Sequence, residues 1–147
     1  MAKPPGDSLV VNRILAALPH KEFRRILTHL EPVSLNARDI IHEPYKPIDY
    51  VYFPESGVVS KVASTEDGAC VEVGMTGREG MTGLCLFLGV RRTSPFKAIV
   101  QVPGKAKRLK AILFDAEVER NAAWTGILLD YTHAVLSVSS QLAQPIA

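Results

Sequence analysis

The sequence predicts a mainly β protein: an antiparallel sandwich or barrel flanked by helices. Three observations carry this. Between Pro32 and Lys110, short stretches rich in Val, Ile, Tyr and Phe alternate with Pro, Gly and Asp, as many short strands joined by turns require. Before Pro32 and after Lys110, apolar residues recur at helical spacing. The length, 147 residues, suits one domain with a sizeable core.

Composition narrows the class. With 47% hydrophobic and 22% charged residues the chain is ordinary for a globular protein. A net charge of +2 does not by itself point to nucleic acid. Cys70 and Cys85 sit in apolar runs without metal-ligand spacing. They read as buried free thiols of a reducing compartment, with one disulfide as the alternative. His20, His29, His42 and His133 form no ligand cluster, so no metal site is expected. No apolar run is long enough for a bilayer, and MAKPPGDS lacks the apolar segment of a signal peptide, so a cytoplasmic protein is expected. No nucleophile–base spacing, P-loop or metal motif is present, and an enzyme is not expected.

Residues 1–8 read as a flexible tail, 9–120 as the β domain with its N-terminal helices, and 121–147 as a C-terminal dimerisation helix. Asp7 or Ser8 can cap a first helix running through Leu18, with Leu9, Ile14 and Leu18 apolar. Pro19 separates it from a helix over His20–Leu30, whose stripe is Phe23, Ile26, Leu27 and Leu30. Arg24, Arg25 and His29 lie off that stripe, in solvent. Strands are expected at Val33–Leu35, Asp39–His42, Ile48–Phe53, Val58–Ser64, Cys70–Met75, Phe96–Val102 and Ala106–Lys110. Alternation puts Val71, Val73 and Met75 on one face of a half-buried strand, with Glu72 and Gly74 on the other. Glu66, Asp67 and Gly68 make a hairpin turn. The basic run Lys105, Lys107, Arg108 and Lys110 reads as a solvated strand edge rather than a DNA contact.

Ala111–Arg120 is a short helical run. Asn121 then caps a longer helix through about Gln144, stopped by Pro145. Along it Trp124, Leu128, Tyr131, Val135, Val138 and Leu142 step by four and three, the heptad seam of a two-stranded coiled coil, with Val135 at an a position. A parallel homodimer is expected through these six residues. Ile127, Ala134 and Leu136 form a second apolar margin. The competing reading is a core helix with a wide stripe.

The stretch that organises the chain is Gly77–Ser94, GREGMTGLCLFLGVRRTS. A glycine-rich turn feeds one turn of helix, Leu84–Leu88, and a basic loop with Arg91, Arg92, Thr93 and Ser94 follows. Glycines let backbone N–H groups converge on an anion, although such a turn also serves as plain architecture. The candidate ligand-binding residues are Gly80, Met81, Thr82, Gly83, Leu84, Arg92, Thr93 and Ser94.

NRILAALP, HLEPVSL, EPYKPIDYVYFPESGVVS, EDGACVEVGMTGREGMTGLCLFLG, QVPG and a long final helix together resemble the sensor domain of a Crp/Fnr-type transcription regulator, over about Leu9 to Gln144. The resemblance implies a cyclic-nucleotide-binding-type fold, a jelly-roll barrel with a phosphate-binding cassette, and a last helix that forms the dimer interface. In members that bind cyclic nucleotides, a Gly-Glu pair takes the ribose hydroxyl and an Arg-Ser or Arg-Thr pair takes the phosphate. Those pairs fall here on Thr82–Gly83 and Thr93–Ser94, with Arg92 one residue early. Each lost contact would remove roughly 1.5–3 kcal/mol, so tight cyclic AMP binding is not expected. A cyclic nucleotide, another small anionic effector, or no ligand remain open, and no cofactor is assigned. Tyr45 and Arg38 stand where this branch often has Gly, which implies altered turns. Such regulators carry a helix-turn-helix after the last helix. Only Pro145, Ile146 and Ala147 follow here, so this chain is not expected to bind DNA alone, and a stand-alone sensor and a piece of a longer regulator stay open. The two functional readings are an effector-sensing regulatory domain and a ligand-free dimerisation or interaction module.

Overall fold

A computed structural model of the chain describes residues 10–89 and 92–142, with side chains as far as 138. The elements are α1 (Arg13–Ala17), α2 (His20–Leu27), β1 (Glu31–Leu35), β2 (Ile40–His42), β3 (Tyr50–Pro54), β4 (Val58–Ser64), β5 (Cys70–Thr76), α3 (Leu84–Leu88), β6 (Lys97–Val102), β7 (Gly104–Lys110), α4 (Ala111–Arg120) and α5 (Ala122–Leu142). Every expected strand is present, with bounds that differ by at most two residues.

The strands form two antiparallel sheets, ordered β1-β7-β3 and β2-β6-β4-β5. Among the described residues no ladder joins them, so the expected barrel is an open two-sheet roll. Strand alternation divides the core in two. One face of the three-stranded sheet sends Val51, Phe53 and Leu109 against the helices, where they meet Ile26, Phe114, Trp124 and Leu128. Trp124 lies edge-on to Phe114, with 5.6 Å between ring centroids. The other face sends Leu35 and Ala106 against Val59, Ala98 and Val100 of the second sheet.

Several expectations need correction. The first helix begins only at Arg13, and its cap is Asn12, whose side-chain oxygen accepts the N–H groups of Ile14 (3.0 Å) and Leu15 (3.2 Å). Asp7, Ser8 and Leu9 lie outside the described residues. α2 stops at Leu27, which is exposed, while Phe23, Ile26 and Leu30 are buried. Arg25 is not simply solvated: it makes a two-pronged ion pair with Glu117 of α4, at 3.2 and 2.8 Å. β7 is the central strand of its sheet, not an edge. The basic run there splits between its two faces, Lys107 reaching Glu55 (3.7 Å) and Arg108 reaching Glu31 (3.0 Å). Cys70 is exposed and Cys85 half-buried, and both are free.

The largest correction is on β5. Its register against β4 runs Lys61↔Gly74 and then Val62↔Glu72, which leaves Val73 without a partner. This one-residue bulge reverses the alternation. Val71 and Met75 therefore point to opposite faces, and Val71, Val73 and Met75 are all exposed. Other turns behave as read. Gly68 has φ +87° at the β4–β5 hairpin, and Tyr45 and Arg38 adopt left-handed φ of 62° and 72° where Gly would be easier. Asn121 caps α5 through the N–H of Ala123 at 3.0 Å. No helix among the described residues is long and apolar enough to cross a membrane.

Candidate functional site

Gly77–Ser94 leaves β5, turns, forms α3 and returns to β6. Val90 and Arg91 lie outside the described residues. Gly83 (φ +82°) and Gly89 (φ +77°) bracket the five-residue α3. At position 83 the need for glycine is double: the backbone is left-handed, and a Cβ would lie 2.8 Å from Val51 Cγ1. The place where the resemblance puts a ribose-binding carboxylate has no room for a side chain.

Gly80 is held from two directions. From α5, Tyr131 packs so closely that a Cβ on Gly80 would come within 2.5 Å of Tyr131 Cζ. The Tyr131 hydroxyl points at the Met81 carbonyl, 3.5 Å away, and burial pushes its pKa up, so it stays a neutral phenol. From α1, the Asn12 amide donates to the carbonyls of Gly80 (2.9 Å) and Pro54 (2.8 Å). Asn12 is 1% exposed, and with its two cap bonds its side chain is fully satisfied.

Thr82 is buried and joins the turn to β3. Its N–H donates to the Tyr52 carbonyl (2.9 Å), and its hydroxyl oxygen accepts the Tyr52 N–H (3.1 Å). The same hydroxyl is 3.3 Å from His42 Nε2. Burial pushes His42 down to about 4, a shift that a hydrogen bond to the Ile41 backbone opposes and nearby Lys61 reinforces. His42 is therefore neutral at pH 7, and the Thr82 hydroxyl proton is free to point at its Nε2. Lys61 extends over the Phe96 ring, 5.6 Å from its centroid. Burial also pushes the Cys85 thiol up, so it is not a reactive thiolate.

The basic loop is held elsewhere. Arg92 forks onto Asp115 of α4 at 3.0 and 2.6 Å. The Ser94 carbonyl accepts the Tyr45 N–H (2.8 Å), and the Ser94 hydroxyl accepts the Phe96 N–H (3.2 Å). Beside Arg92 a shallow depression of about 490 Å³ is lined by Ile48, Asp49, Tyr50, Lys110 and Ala111. The expected ligand residues thus divide. Gly80 to Leu84 form one unit, with Met81 and Thr82 buried. Arg92 faces α4 and Lys110.

On α5 the expected seam is covered for half its length by the chain itself. Trp124 and Leu128 are fully buried in the core, and Tyr131 leans on the cassette. Val135 is half-buried, Val138 is exposed, and the side chain of Leu142 lies outside the described residues. Leu129 and Leu136 share a free apolar face on another side of the helix, and they and Val138 are each more than half exposed. The sequence reading missed Asn12, Asp115 and the inward turn of Tyr131. An NRIL start, with a capping residue directly before an apolar run, was the available signal for Asn12.

No family model and no curated protein matches the sequence. Solved structures do match. A Silicibacter pomeroyi protein named as a cAMP-binding regulatory protein superposes with a TM-score of 0.69 at 19% identity, over 96% of this chain and 65% of that one. This chain therefore spans less than two thirds of that protein's length. The sensor domain of the transcriptional regulator DNR from Pseudomonas aeruginosa gives 0.68 at 15% identity, over 92% and 90% of the two chains. The N-terminal domain of a transcriptional regulator from Streptomyces coelicolor gives 0.64 at 17%, over 94% and 97%. At such identities the likeness establishes a fold, and the chain has the cyclic-nucleotide-binding-type fold that its resemblance to the Crp/Fnr sensor domain implied.

Proposed function

We propose that the chain is a regulatory sensor domain that responds to a small anionic effector other than a cyclic nucleotide and passes the response to α5. The observation that carries this reading is the packing of Tyr131 on Gly80. A shift of the cassette turn displaces Tyr131, which packs it against α5, so the two have to rearrange together. The effector is expected in the depression between Arg92 and Lys110, where Lys110 supplies a cation and Arg92 has to exchange Asp115 for the incoming anion. The same reading has α5 pairing with a second copy through Leu129 and Leu136, seven residues apart on one face, on a different side of the helix from the seam expected from the heptad spacing.

A second reading, a ligand-free dimerisation module, is favoured by Gly83 and by the Arg92–Asp115 pair. One leaves no room for a carboxylate and the other occupies the only described arginine of the loop.

Thermal unfolding with cyclic AMP, cyclic GMP, cyclic di-GMP, phosphate and pyrophosphate separates the readings. A ligand at 100 times its dissociation constant adds about 2.7 kcal/mol. The sensor reading expects no gain from the cyclic nucleotides, a gain from a small anion, and loss of that gain in Arg92→Gln. Micromolar cyclic AMP binding overturns the choice of effector. No response to any anion, together with a dimer in sedimentation, favours the ligand-free module. Leu136→Glu is expected to give folded monomers, and a wild-type chain that sediments as a monomer at micromolar concentration removes the dimer from both readings.

A further inference from the structure

The two sheets part where β1 and β2 separate, and a crevice of about 280 Å³ opens there. Val33, Leu35 and Ile41 make its apolar side, and Ile40 of its lining is 47% exposed. Tyr52 and Arg108 supply its polar side. The Arg108 guanidinium carbon lies 4.0 Å from the centroid of the Tyr50 ring, a stacking that fixes its plane. Its Nε donates to Glu31 at 3.0 Å, and its Nη1 reaches the Tyr52 hydroxyl at 3.5 Å. Nη2 has no hydrogen bond among the described residues. Glu31 therefore engages one prong only, and the outer edge of the fork is left for a planar acceptor with two oxygens. Asp39 also lines the crevice, although its carboxylate accepts the Asn36 N–H at 3.1 Å. Its negative charge and that of Glu31 act against an anionic guest, and against one with two charges twice as strongly, so a single carboxylate is the most the site takes.

We propose that this crevice is a second binding site, which takes a small monocarboxylic acid with a flat apolar body. The carboxylate meets the Nη edge of Arg108, and the body lies along Tyr52, Leu35 and Ile41. The volume, about 280 Å³, falls just below the roughly 300–1,000 Å³ of ligand pockets, which restricts the guest to a small molecule. The site is independent of the cassette reading, because neither Arg92 nor Lys110 lines it.

The test is calorimetric titration of the full chain with 2-naphthoate, and with 2-naphthamide as the uncharged control. Saturable 1:1 binding of the acid is expected, with the amide at least tenfold weaker. Arg108→Gln is expected to weaken the acid at least tenfold, and Arg92→Gln to leave it unchanged. Ile40→Trp keeps every charge and fills the lining, and it is expected to abolish binding with circular dichroism unaltered. The proposal is overturned if naphthoate does not bind, if Arg108→Gln binds as well as wild type, or if Arg92→Gln rather than Arg108→Gln removes binding.

Discussion

Tyr131 occupies the space that a side chain on Gly80 would need, so α5 and the cassette turn fit together only because residue 80 is glycine. Neither residue is free to change alone. The close approach involves ring atoms as well as the hydroxyl, so rotating the hydroxyl does not relieve it.

Gly80→Ala is expected to cost about 1–3 kcal/mol, the usual range for overpacking. The same change in a Tyr131→Ala background should cost much less. Urea unfolding of the four proteins of this double-mutant cycle gives the coupling. Additive costs would mean that the two residues do not share the space.

Asn12→Ala removes the cap of α1 and leaves the carbonyls of Pro54 and Gly80 without their donor. A loss of about 2–4 kcal/mol is expected. Asn12→Asp keeps the cap acceptor and turns a second oxygen towards both carbonyls. It is therefore expected to be no better than the alanine variant at pH 7, and a chemical denaturation curve at wild-type stability would reject the node.

His42 sets a pH dependence. Its folded pKa, about 4, is below the ordinary value of 6.5, so the unfolded chain binds a proton that the folded chain refuses. Stability contributed by this group is complete above pH 6.5 and falls as the pH drops towards 4, by about 3 kcal/mol at pH 4. His42→Gln should flatten that part of the profile. Parallel wild-type and variant profiles between pH 7 and 4.5 would show that His42 does not titrate as described.

Gly83→Glu restores the residue type that cyclic-nucleotide cassettes use. It is nevertheless expected to destabilise by about 2–4 kcal/mol, through a left-handed backbone and the contact with Val51 Cγ1. No gain in cyclic AMP affinity should accompany it, and calorimetry that finds one would show that the loop can re-form around the carboxylate.

The strand plan was legible because turn chemistry and alternation are local. Gly68 and Asn121 did what their residue types favour. What was hidden depends on contacts far along the chain. Asn12 reads locally as one possible cap among several, and only the approach of Pro54 and Gly80, 42 and 68 residues away, makes it a node. The heptad of α5 is real as a pattern, yet a spacing of four and three does not say whether a stripe meets a partner or its own core. Trp124 found Phe114 and Phe53, and the first half of the seam was used up inside the chain. The bulge at Val73 leaves no mark in the alternation of apolar and polar residues, because a skipped partner is a property of the pair of strands.

That bulge has a consequence for solubility. β5 is the outer strand of its sheet and carries three exposed apolar side chains. A regular strand of this kind is a template on which another molecule can add and begin a fibril. With Val73 displaced, the two halves of the edge are out of phase, and an incoming strand can match only one of them. The extra residue thus acts as a guard against self-templated aggregation. A chain shortened by that one valine would present a continuous sticky ribbon at the same place.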